Sequence, residues 1–451
     1  PPTVTHTATA TRTVTRTPTQ TRTPSASPTT ALTLTPTATP GGGIGVDPGY
    51  GSGGRLNLGG ILVDARPIRL RTASGGRLMV LAYGRDTQGA YRYGLARFTM
   101  RGQLDTSYGQ GGVVVFDEPT LPELTLEDFA VAPDDAVTVV GTTWLLNESG
   151  DSTVAMIAAL QRRASGARSA NFGDGGSKTL SLDTVSVWGQ RISHTPQGWL
   201  IGGQTDGQAG LLARLDESGQ LDGAFGSEGI VIHEPYGSPS VRFERLWLTT
   251  DQRIMVDGTQ NDDGTLWRFH THGALDTGFA LSGAFPYRSA DENALVAFGR
   301  DGQFFRVRED RDGEDHVFVA VEAYDGDGQP RTSWGQAGHL EFFIGDANTL
   351  LGALVLRNGA LLVLIGPRPV DISALDAPQT EAGAQLLRID EVGARDLSFG
   401  EGGVVTLPVT SADELIAQED DSVLVVDGDE VLRLAALPAL HRITLPQLQR
   451  P

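Results

Sequence analysis

Short apolar runs, each ended by a polar turn, set the rhythm of this chain. Leu78-Met79-Val80-Leu81-Ala82, Val137-Thr138-Val139-Val140, Ile254-Met255-Val256, Leu361-Leu362-Val363-Leu364-Ile365 and Val423-Leu424-Val425-Val426 are apolar stretches of strand length. Such runs suit strands buried on both faces. A second set carries an arginine: Leu95-Ala96-Arg97-Phe98, Leu212-Ala213-Arg214-Leu215, Trp267-Arg268-Phe269, Leu387-Arg388-Ile389 and Leu432-Arg433-Leu434. A third set follows glycine pairs, as in Val113-Val114-Val115-Phe116 and Val404-Val405-Thr406-Leu407. Polar turns such as Ser74-Gly75-Gly76, Pro133-Asp134-Asp135, Pro196-Gln197-Gly198 and Asn358-Gly359 separate the runs, with the chemistry of tight β-hairpins. Nothing between them shows sustained helical periodicity. The pattern predicts an all-β chain built from units of four antiparallel strands.

A motif marks each unit. Leu104-Asp105-Thr106-Ser107-Tyr108-Gly109-Gln110-Gly111-Gly112 returns, with variations, at intervals of roughly 60 residues. Its copies begin near Asp47, Asp105, Asn171, Asp222, Asp276, Thr332 and Asp396. The last unit, from Val404 to Leu434, has no copy after it, while the first copy, Val46 to Gly54, has no unit before it. The first copy is therefore expected to complete the last unit and close a ring. The expectation is a seven-bladed β-propeller over residues 46–437, in which closure removes open sheet edges.

Within the motif, Asp47, Asp105, Asp222, Asp276 and Asp396 are read as turn residues that bond nearby backbone N–H groups and pair with Arg97, Arg214, Arg268 or Arg388. Tyr50, Tyr108, Phe172, Phe225, Phe279, Trp334 and Phe399 are read as blade anchors. The glycines do not form a phosphate loop, because no helix follows to present its N-terminus.

At these residues the chain resembles the delta-60 repeat family, bacterial secreted or surface proteins that form β-propellers. The pattern is an Ala-Arg-hydrophobic strand, a glycine-bearing turn, Leu-Asp-x-x-Phe-Gly-x-x-Gly, then a valine-rich strand. Leu95 to Gly112 and Leu212 to Gly229 match it closely. The resemblance spans roughly residues 46–435; residues 170–176 lack the Leu-Asp pair and Phe279-Ala280 lacks the glycine. It implies a fold and an exported location, and no catalytic residue.

Ahead of the repeats, residues 1–45 form a low-complexity arm. Hydroxyls alternate at Thr3, Thr5, Thr7, Thr9, Thr11, Thr13, Thr15, Thr17, Thr19, Thr21 and Thr23, a period of two that places them on one face of an extended chain. Two readings stay open: an O-glycosylated Thr/Pro stalk, or a docking arm that adds to a sheet edge of another copy. Arg12, Arg16 and Arg22, with no acid, give the arm a positive charge. Residues 438–451 are read as a C-terminal tail.

Charge narrows the partners. The chain carries 35 basic and 55 acidic residues, formally −20, a surface that repels nucleic acid and anionic membranes. No cysteine is present, which removes disulfides, thiolate metal sites and cysteine nucleophiles. No run is long and apolar enough to insert in a membrane as a helix. The chain begins at Pro1 and is read as processed, its secretion signal already removed.

Candidate chemistry is sparse. Asp310, Asp312, Asp325 and Asp327 lie in acid-rich loops with the donor type of calcium ligands, though without the full twelve-residue loop pattern. His270 and His272 share a strand face, with no third ligand nearby in sequence. Neither a Gly-x-Ser-x-Gly elbow nor a His-Glu-x-x-His motif occurs. The resulting expectation is a non-enzymatic extracellular structural protein, self-assembling into a surface layer or filament through its arm, without cofactor. The alternative is a stalk-mounted surface module whose propeller loops bind a ligand such as a glycan or another surface protein.

Overall fold

The computed structural model describes residues 45–435 apart from 147–149, 151–152, 236–239, 291, 300–301, 313, 315, 368–382, 410–411, 413, 419 and 429. The Thr-rich stretch before Gly45, the Asn147-Glu148-Ser149 sequence, formally a glycosylation sequon, and the tail after Ala435 lie outside this set.

Seven antiparallel sheets form the blades of a β-propeller. In the first blade the strands Val63–Ala73, Arg77–Arg85, Tyr91–Phe98 and Val113–Phe116 pair in sequence order. The second to sixth blades repeat this order, beginning with Thr125–Val131, Val187–Thr195, Val241–Leu248, Ala294–Phe298 and Asn348–Val355. The seventh, Glu414–Ala417, Val423–Asp427 and Glu430–Leu434, has three strands.

The fully apolar runs are the second strands. Leu78, Val80 and Leu81 are each 0 % exposed, because both faces of such a strand meet a neighbouring blade. The apolar core follows the ring as a series of clusters between adjacent blades. One gathers Met79, Leu81 and Leu95 from the first blade with Phe129, Val139 and Leu160 from the second.

Repeat unit and blade are out of phase. The valine-rich strand after each motif is the outermost strand of the blade that ends there. Val404–Thr406 therefore closes the sixth blade and does not open the seventh. The strand after it in sequence is the innermost of the next blade.

The two ends of the ring meet in the seventh blade. Val46 bridges to Leu434 and Arg55 to Leu432. Asp47 N–H donates to Arg433 O at 2.9 Å, Arg433 N–H to Gly54 O at 2.9 Å, and Leu56 N–H to Val431 O at 3.0 Å. The lone first motif thus stands where its counterparts stand in the other blades, with Arg55 and Leu56 taking the place of an outer strand.

Candidate functional site

Each intact motif is a staple between neighbouring blades. In the first blade Arg97 Nε donates to Asp105 at 2.8 Å, and its Nη1 reaches the Ala164 carbonyl of the second blade at 2.6 Å. The guanidinium lies 4.8 Å from the centroid of the fully buried Tyr108 ring. Gly109 donates to Ser165 O at 2.9 Å. Its φ is 54°, within a degree of the glycines in three other copies, and a Cβ there would sit 2.2 Å from the Val113 carbonyl oxygen, so only glycine fits. The Ser107 hydroxyl, donating to Asp105 at 2.6 Å, holds that carboxyl below the usual carboxylate range against the opposing effect of burial.

The constellation recurs. Arg214 pairs with Asp222 at 2.8 Å over Phe225, Arg268 with Asp276 at 2.7 Å over Phe279, and Arg388 with Asp396 at 2.5 Å over Phe399. Across the seam, Arg433 pairs with Asp47 at 2.6 Å over Tyr50. In the copy at Phe172 there is no aspartate in register; Arg162 pairs instead with Glu118 at 2.6 Å over Phe116. Trp334 is buried beside Phe305, with ring centroids 5.2 Å apart. These groups spend their charge on one another and on backbone carbonyls, which is a structural use.

The candidate metal ligands are dispersed. Asp310 pairs with Arg308, Asp312 with His316, and Asp327 with Arg268, while Asp325 accepts backbone N–H groups of its own turn. His270 and His272 stack with centroids 5.5 Å apart. Among the described residues no three His, Asp or Glu side chains gather as a metal site.

Convergent charge lies elsewhere, inside the ring of innermost strands. A cavity of about 1090 Å³ is lined by all seven of them. In five of these strands the register slips by one residue against the second strand. A β-bulge re-aims the side chain that follows it, and the residues that follow are Arg69, Asp128, Arg191, Arg245 and Gly352. Leu295 and Glu414 hold the matching positions in the two unbulged strands, opposite Val307 and Val426. All seven line the cavity and form a collar, one residue per blade. Glycines in the second strands make room for the bulges: a Cβ on Gly141 would lie 1.7 Å from Thr125 O, and one on Gly258 1.9 Å from Arg242 O.

The collar's charges are unevenly paired. Asp128 is 1 % exposed and accepts from Arg71 Nη2 at 2.8 Å and from the Phe129 and Ile192 N–H groups. Arg245 is matched by Asp257 at 2.6 Å. Arg69 and Arg191 are not matched in this way. Arg69 stands 3.5 Å from Asp128 and 4.0 Å from Glu414, and its buried Nε finds no hydrogen-bond partner. Among the described residues Arg191 donates to backbone carbonyls alone, of Gln190 at 2.6 Å and of Glu244. Burial, followed by repulsion from Arg69, pushes the Arg191 pKa down. Arg69 and Arg71 share the Asp128 and Glu414 carboxylates, and Arg191, with no ion pair among the described residues, is the cation left over on this side of the cavity.

Sequence reasoning passed over the collar, because its residues share no type from blade to blade. Its one sequence signal is the glycine inside an otherwise apolar second strand, at Gly84, Gly141, Gly203 and Gly258, which marks close backbone approach.

Comparison with known proteins finds no matching family model and no matching curated protein. Solved structures do match. The Dos1 propeller superimposes with a TM-score of 0.42 at 13% identity, over 82% of this chain and 77% of that one. The periplasmic gluconolactonase PpgL of Pseudomonas aeruginosa gives 0.43 at 13%, over 80% and 100%. The NanB sialidase of Streptococcus pneumoniae gives 0.36 at 10%, over 82% and 68%. The expectation of a non-enzymatic protein is corrected on this point, since similar solved propellers include enzymes by name. At these identities the likeness extends to the fold and assigns this chain no activity.

Proposed function

We propose that this chain is an exported binding module that takes a small anion into the central channel of its propeller. One observation carries the reading: Arg191 faces the cavity without an ion pair among the described residues, while on the collar positions around it Arg69 and Arg71 already share the Asp128 and Glu414 carboxylates. In a chain of formal charge −20, a half-buried guanidinium without an ion pair is a costly arrangement unless a ligand offsets it. The ligand site thus moves from the loops to the channel, and the arm of residues 1–45 serves to hold the propeller at the cell surface.

Isothermal titration of the full chain against phosphate, citrate, gluconate and octanoate tests the reading. At least one anion should bind, with affinity reduced tenfold or more in Arg191→Gln. If none of the four binds, or the variant binds as well as the parent, the reading fails.

A further inference from the structure

The cavity has a charged collar and, beyond it, an apolar wall on one side, formed by the fourth to sixth blades. On the first four blades its lining starts at the collar, with none of the described strand halves before Arg69, Asp128, Arg191 and Arg245 contributing; on the last two blades it reaches one or two residues further, to Leu351 and Ala412. From Arg69 the wall continues to Ala73 and Ser74, where the first strand turns, a rise of roughly 13 Å for four residues. The mouth is therefore on the side of the first hairpin turns, and the arginines lie at the inner end.

Between collar and mouth the wall changes character. On the first to third blades it is mixed, with Arg71, Thr72 and Ala73, then Ala130 and Val131, then Ser193 and His194. On the fourth to sixth blades the lining includes Trp247, Phe298 and Leu354, all half-buried, with the Trp247 and Phe298 rings 4.1 Å apart. At the collar level itself the side opposite the arginines is Leu295 and Gly352, with no charge. A small hydrophilic anion would satisfy Arg191 and leave this surface wet. A ligand with an anionic head and an apolar body would satisfy both.

We propose that the channel selects amphipathic carboxylates, an acyl or aryl chain with one terminal anion, entering from the hairpin-turn mouth and seating the carboxylate against Arg191 at the collar. The apolar body lies along Trp247, Phe298 and Leu354. This rests on the anion-binding reading above, and its test separates the two.

The test is a titration series of acetate, butyrate, hexanoate and octanoate, with gluconate as the hydrophilic carboxylate of comparable size. Affinity should climb at least tenfold from acetate to octanoate, and octanoate should exceed gluconate by a similar factor. Octanoate should also change the tryptophan fluorescence, and Trp247→Phe should remove most of that change although five other tryptophans remain. A flat series, or gluconate equal to octanoate, overturns the amphipathic ligand and leaves the anion site standing. Absence of binding by every carboxylate and by phosphate overturns both. Octanoate binding that Arg191→Gln does not weaken overturns the placement of its head. The series needs no variant, so a misfolded substitution does not blunt it.

Discussion

Arg433 donates through Nη1 to Asp47 Oδ2 at 2.6 Å, joining two residues 386 positions apart in the chain. The same guanidinium lies 5.1 Å from the Tyr50 ring centroid, and its Nε bonds Gln418 at 2.8 Å. One side chain thus fastens the first motif of the sequence to the last blade. Truncation to Arg433→Ala leaves Asp47 without its cation and removes the face-on contact with Tyr50. The expected loss is about 2 kcal/mol in urea denaturation. Hydrogen exchange gives the sharper check. The amides of Asp47, Leu56 and Arg433, which carry the seam bonds, should exchange faster in the variant, while Asp105 in the first blade should not change.

Tyr108 and Tyr50 occupy the anchor position that is phenylalanine in the copies at Phe172, Phe225, Phe279 and Phe399. Both hydroxyls are buried without a hydrogen-bond partner, and burial pushes both phenol pKa values up. An unmatched buried hydroxyl costs about 1 kcal/mol or more. Tyr108→Phe keeps the ring under Arg97 and removes that cost, so it should raise stability by about 1 kcal/mol. A melting temperature below that of the parent would show that the hydroxyl has a use.

Gly141 faces the bulge that aims Asp128 into the channel. An alanine Cβ there would lie 1.7 Å from the Thr125 carbonyl oxygen, a backbone atom that cannot rotate away. Gly141→Ala should therefore cost about 2–4 kcal/mol by pushing the innermost strand off its partner. Alanine at Gly111, where nothing lies within 4 Å but φ is 66°, should cost only the milder conformational penalty of about 1 kcal/mol. Comparing the two melting curves separates close approach from backbone strain.

These positions show what the chain reveals of itself. The staples were legible because Arg97, Asp105 and Tyr108 recur as types at fixed spacing, and the lone copy at Asp47 gave away the seam. The phase of the blades was not legible, since Val404–Thr406 reads the same as the first strand of a unit or the last of a blade; pairing decides it. The collar was hidden for a different reason. A bulge changes where Arg69 or Arg191 points without changing its identity, and a ring position filled by Arg, Asp, Arg, Arg, Leu, Gly and Glu has no repeat to detect. The collar side chains depart from the repeat although the backbone that carries them does not.

His233 supplies a pH dependence of stability. It sits among Phe243, Trp267 and Phe269, with ring centroids 5.3–6.0 Å away, and burial pulls its pKa down to about 4. In the unfolded chain it titrates near 6.5. Between these values the unfolded state binds the extra proton, so acid favours unfolding. The stability tied to a neutral His233 is fully present above pH 6.5 and is lost as pH falls toward 4, up to about 3 kcal/mol, less whatever its partial exposure screens. His233→Phe should flatten the melting temperature between pH 6.5 and 4.5 relative to the parent. An unchanged slope would assign the acid sensitivity to other groups.

Arg191 sets binding against stability. Burial and the Arg69 guanidinium both act against its charge, and it has no ion pair among the described residues. A residue retained for its ligand in this way is expected to be a liability when the ligand is absent. Arg191→Gln keeps a side-chain N–H for the Gln190 and Glu244 carbonyls and removes the repulsion. The ligand-free variant should therefore match the parent or exceed it by about 1 kcal/mol, with the larger gain at low ionic strength, where screening of Arg69 is weakest. Octanoate should raise the melting temperature of the parent and leave that of the variant unchanged. Destabilisation of the ligand-free variant by about 2 kcal/mol or more would make Arg191 a structural strut and remove the reason for placing an anion beside it.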